Sequence, residues 1–94
     1  MTAIQEAKRF FSHIKEYTSI VKYFPRGKSN EFKTTEIKDI SINNSGIRLS
    51  YKRELVLGAS KLLKAVYTQH SNSITLKVKT NTGATILYQL RGKI

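Results

Sequence analysis

The sequence predicts a small α+β fold in a single domain over residues 1–94: an N-terminal helix, an antiparallel sheet of about five strands, and a second helix before a C-terminal hairpin. Three observations lead there. The N-terminal segment carries apolar residues at helical spacing behind a capping signal. Several later segments alternate apolar and polar residues and are separated by Asn/Gly or Pro/Gly turn signals. Ile, Leu, Val and Phe number 26 among 94 residues, enough for one core despite the charge.

Residues 2–18 read as the first helix. Thr2 with Gln5 three positions on forms a capping-box pair, and Ala3, Ile4, Ala7, Phe10, Phe11, Ile14 and Tyr17 fall on one stripe at 100° per residue. From Ser19 the residues turn β-branched and aromatic, predicting a strand through Phe24. Pro25-Arg26-Gly27 then makes a turn, so that Arg26 and Lys28 stand on an exposed loop.

Residues 31–52 predict further strands, folded into a hairpin at Asn43-Asn44-Ser45-Gly46. Ile40 and Ile42 precede that turn; Ile47, Leu49 and Tyr51 follow it, alternating with Arg48, Ser50 and Lys52. Leu55, Ala59, Leu62, Leu63, Val66 and Tyr67 match a helical stripe over Arg53–His70, which puts Ser60, Lys61, Lys64 and Thr68 on its polar side. Gly58 weakens that helix and Leu57 falls on its polar face. The last two strands, Ser73–Thr80 and Ala84–Arg91, flank Asn81-Thr82-Gly83 and carry Lys77, Lys79, Leu87 and Arg91 on the side away from Ile74, Leu76, Val78, Ile86, Tyr88 and Leu90.

Charge is the strongest functional signal. With 17 Lys plus Arg against 6 Asp plus Glu, the formal charge is +11, a self-repulsion best explained by an anionic partner. Nucleic acid, DNA or RNA, is the expected one. The basic residues are scattered instead of clustering beside one amphipathic helix, and no apolar run approaches the ~20 residues of a membrane span, so no membrane role is expected. With no cysteine and no recognisable signal peptide, the expected location is cytoplasmic.

The chemistry-bearing residues are sparse. His13 and His70 are far apart with no carboxylate cluster beside either, which argues against zinc; no cofactor is expected. Gly27-Lys28-Ser29 lacks the upstream glycine of a phosphate-binding loop, since Lys22 occupies that place. Glu36 and Asp39 do not form a glycosidase-type pair.

The expected nucleic-acid contacts are Arg48, Lys52, Lys77, Lys79 and Arg91 on a polar sheet face, with Arg26 and Lys28 in the loop. Lys61 and Lys64 form a second surface on the second helix, with Lys52 and Arg53 at its N-terminal end. Tyr23, Tyr51 and Tyr88 are candidates to stack on unpaired bases, although alternation places Tyr51 and Tyr88 with the core residues.

Gly46-Ile47-Arg48-Leu49-Ser50, running into a Leu-rich segment, resembles the strand-to-helix step of PUR-type single-strand-binding sheets. Size and charge also resemble those of RelE-like toxins, but the element order differs and no motif residue matches, so neither family's residues are carried over.

The leading expectation is a non-catalytic nucleic-acid-binding module, monomer or homodimer. One alternative is an inhibitor or regulator of the kind carried by phages and mobile elements, docking on a protein or nucleoprotein through Leu57 and Leu87. The other is a small metal-independent ribonuclease.

Overall fold

The computed structural model describes residues 2–23, 27, 29–52, 54–58 and 61–94, the stretch 54–58 by its backbone alone. Among the described residues one α-helix, α1 (Ala3–Phe11), precedes eight strands: β1 (Tyr17–Tyr23), β2 (Ser29–Lys33), β3 (Ile37–Asn43), β4 (Gly46–Tyr51), β5 (Glu54–Gly58), β6 (Leu62–Gln69), β7 (Ile74–Thr80) and β8 (Thr85–Lys93). Five strands form an antiparallel sheet in the order β2-β1-β8-β7-β6, and β3-β4-β5 form a second, three-stranded sheet.

The capping box is present: Thr2 Oγ1 accepts from Gln5 N–H at 3.2 Å and Gln5 Oε1 accepts from Thr2 N–H at 2.9 Å. The helix ends at Phe11 instead of running to residue 18. Ser12 Oγ donates to Arg9 O at 2.6 Å, a local bond that competes with helix continuation. A 3₁₀ turn at Ile14–Glu16 follows, and the β-forming residues Tyr17, Thr18, Ile20 and Val21 go into β1.

The predicted hairpin at Asn43–Gly46 joins β3 to β4. Asn43 Oδ1 accepts from Ser45 N–H at 2.8 Å, and Gly46 takes φ +119°, which a side chain would resist. The C-terminal hairpin β7–β8 also stands where alternation put it.

Among the described residues of Arg53–His70 the predicted helix does not form. The chain there forms β5 and β6, separated by residues 59–61. A register shift between Leu62 and Lys64 lets Leu62 be buried and Leu63 stay 58% exposed; beyond it, Ala65 and Tyr67 turn inward while Lys64, Val66 and Thr68 face out. The same apolar spacing thus satisfies a bulged strand.

One continuous core joins α1 (Ala7, Phe10, Phe11), the inner face of the large sheet (Ile20, Leu76, Tyr88, Leu90) and the small sheet (Ile47, Leu49). Phe11 and Tyr88 meet edge to face at 5.6 Å, a favoured ring geometry. One helix and a second sheet therefore cover the inner face, where two helices were expected. The opposite face of the large sheet has no described element packed over it.

Candidate nucleic-acid interface

Strand alternation and register place the side chains of the uncovered face. From β2 to β6 the rows read Lys33, Ser19, Arg91; then Glu31, Val21, Gln89, Thr75, Thr68; then Ser29, Tyr23, Leu87, Lys77, Val66; and finally Thr85, Lys79, Lys64 on β8, β7 and β6. Glu31 is the one carboxylate among these residues.

At the β6–β7–β8 end, Lys64, Lys77, Lys79, Val66 and Thr85 line a shallow depression of about 330 Å³. Lys64 and Lys79 are direct cross-strand partners. Like charges placed opposite each other destabilise a sheet, and none of these lysines has a carboxylate opposite it in the register. The depression therefore offers several N–H donors and a positive field, suited to phosphate oxygens. Lys61 is just ahead of β6, its carbonyl accepting from Asn81 N–H at 3.0 Å, at this same end of the sheet. Arg91 stands on the same face at the other end, with Ser19 between it and Lys33.

Two other expected contacts lie elsewhere. Arg48 and Lys52 belong to the small sheet and its turn, not to the sheet of Lys77 and Lys79. Arg48 is exposed opposite Ile47 and Leu49; because those two enter the shared core, Arg48 points away from the large sheet. Lys52, at φ +56°, holds its ammonium 3.7 Å from Glu36 Oε2. The Tyr51 hydroxyl also bonds Glu36 and, with Lys52 and Lys33, keeps its carboxyl below the ordinary range against a smaller opposing effect of burial; Glu36 in turn raises the Tyr51 phenol. This cluster is an internally compensated joint between the sheets. Arg26, Lys28 and Arg53, together with the side chain of Leu57, lie outside the described residues. Lys61 precedes strand β6 and Lys64 lies within it, so they do not form the expected helical docking surface, and Gly46–Ser50 leads on to strand β5 instead of making the resembled strand-to-helix step.

The tyrosines separate as well. Tyr88 is 1% exposed in the core, where burial raises its phenol well above the ordinary value. Tyr51 is half-buried against Phe32, ring centroids 4.9 Å apart. Tyr23 is half-buried on the uncovered face, its hydroxyl donating to Gln89 Oε1 at 3.1 Å. Lys22, its neighbour, is on the inner side of β1, buried with its ammonium 5.8 Å from the Tyr88 ring centre; burial lowers its pKa.

Alternation in the last strand already put Thr85 and Gln89 on this side with Arg91; sequence reasoning passed over Lys33, which β2 pairs with Ser19. The signal for Lys33 was the two-residue period of Ser29, Glu31 and Lys33.

Among the described residues no group of three or more His, Asp or Glu is placed to hold a metal ion, and no helix is long and apolar enough to cross a membrane. Comparison with protein-family models, curated proteins and solved structures gives no match.

Proposed function

We propose that the chain is a non-catalytic nucleic-acid-binding module whose uncovered sheet face contacts phosphates through Lys64, Lys77 and Lys79. One observation carries this reading: Lys64 and Lys79 face each other across β6 and β7, with Lys77 beside them and no carboxylate opposite any of the three. Such an arrangement costs stability in the free protein, and a polyanion offsets that cost. Arg91 and Lys33 extend the positive surface to the far end of the sheet, about 20 Å away along β8 at ordinary strand rise. A cytoplasmic setting, where nucleic acid is met, accompanies this reading.

The test is fluorescence anisotropy of labelled DNA and RNA, single- and double-stranded, over a salt series, with the wild type and the Lys77→Glu/Lys79→Glu variant. Three phosphate contacts give a slope of log affinity against log salt of about −2 to −3. Reversal of the two charges is expected to weaken binding to every sequence alike and to flatten that slope. Equal binding by the wild type and the folded variant would overturn the proposal, as would wild-type affinity no greater than that of an unrelated protein of equal charge.

A further inference from the structure

The uncovered face carries more than charge, and resting on the reading just given, we infer that it takes an unpaired strand, with Tyr23 as the residue on which a base stacks. Val21 belongs to this face, since it pairs with Gln89 while Ile20 and Leu90 pair on the core side. It is nevertheless only 4% exposed, and it stands apart from the continuous core. A second small apolar patch therefore exists on the outer side, made of Val21, Tyr23 and Leu87.

Tyr23 is opposite Leu87, but its hydroxyl reaches Gln89, the cross-strand partner of Val21. The phenol thus extends along the sheet over the Val21–Gln89 row, tethered at its far end. An aromatic ring held along a sheet presents a face to solvent, and every base offers a π-face to it. Lys77 is in the same row two strands away, at about 10 Å given ordinary strand spacing, with Lys79 and Lys64 beyond it. A strand with its backbone on the lysines can turn a base onto the ring. In a duplex the bases are paired and stacked inside, so the ring has nothing to receive and only the phosphate contacts remain.

Tryptophan is absent from the chain, so Tyr23→Trp introduces a single indole reporter at the inferred position. Its emission would be followed during titration with oligo(dT) and with a duplex of equal length, while anisotropy of the labelled nucleic acid reports binding independently. Poly-glutamate serves as a competitor of matched charge. The expected result is quenching by oligo(dT) and little by duplex. Tyr23→Phe is expected to keep single-strand affinity, and a Tyr23→Ala variant that melts as a folded protein to lose about ten-fold or more.

Binding of oligo(dT) without a change in emission, or equal affinity for duplex and single strand, would overturn this inference and leave the phosphate-binding reading standing. Displacement of oligo(dT) by poly-glutamate at equal charge would likewise overturn it, since the face would then read charge alone. Failure to bind either nucleic acid would remove both.

Discussion

Lys64 on β6 and Lys79 on β7 are direct cross-strand partners, the one like-charged pair in the described register of the large sheet. The pairing weakens the sheet beside a third lysine, Lys77, so stability and the proposed phosphate binding pull this position in opposite directions.

Lys64→Glu turns the repulsive pair into an attractive one. Its melting temperature is expected to rise by a few degrees, for a gain of up to about 1 kcal/mol, and the gain should fade at high salt. Nucleic-acid affinity should fall in the same variant. Paired thermal melts and anisotropy titrations check both, and a loss of stability at low salt would contradict the assigned register.

Gly92 is a second point of sensitivity. It has φ +70°, and a Cβ there would collide with Thr18 Oγ1. Threonine is stiff at χ1 and yields poorly. Gly92→Ala is expected to cost about 1–3 kcal/mol through backbone strain and displacement of Thr18. Adding Thr18→Ala should recover the part due to the collision. Urea unfolding of the two single variants and the double variant measures that coupling.

Glu36 sets an acid dependence. Its folded pKa is depressed, chiefly by the Tyr51 hydroxyl and then by Lys52 and Lys33. Its contribution is therefore present above the unfolded pKa of about 4.3 and is lost as pH falls through the folded value. Glu36→Gln should melt lower than the wild type at pH 7, and the difference should close as the pH falls below about 4.3 and on through the depressed folded value. Melting curves across that range decide it; a difference independent of pH would assign the residue a purely steric role.

How far the sequence reveals this molecule depends on the kind of statement. Alternation within a strand was sufficient for Lys77, Lys79 and Arg91, because a period of two determines which side chains share a face. It could not say which strands share a sheet. Arg48 and Lys52 obey the same alternation, yet they belong to the small sheet, and only long-range pairing separates them from Lys77.

The misread segment shows a different limit. Leu62, Leu63, Val66 and Tyr67 fit a helical stripe, but the register shift after Leu62 lets a strand absorb the adjacent leucines, leaving Val66 44% exposed. The β-branched and aromatic run Val66-Tyr67-Thr68 was the contrary signal. Lys64 and Thr68 share a face in either reading, because a spacing of four is near one helical turn and is also even. The lysine was thus placed with the correct neighbour on the wrong element.

The last strand along the chain is an inner strand of the sheet. β8 is flanked by β1, the first strand, and β7, its hairpin partner. During synthesis the ribosome must therefore deliver seven strands before the large sheet can close. Until β8 emerges, β1 and β7 each display an edge without its final partner, the condition under which nascent chains engage chaperones or aggregate. A premature stop before Thr85 severs the link between the sheet's two halves.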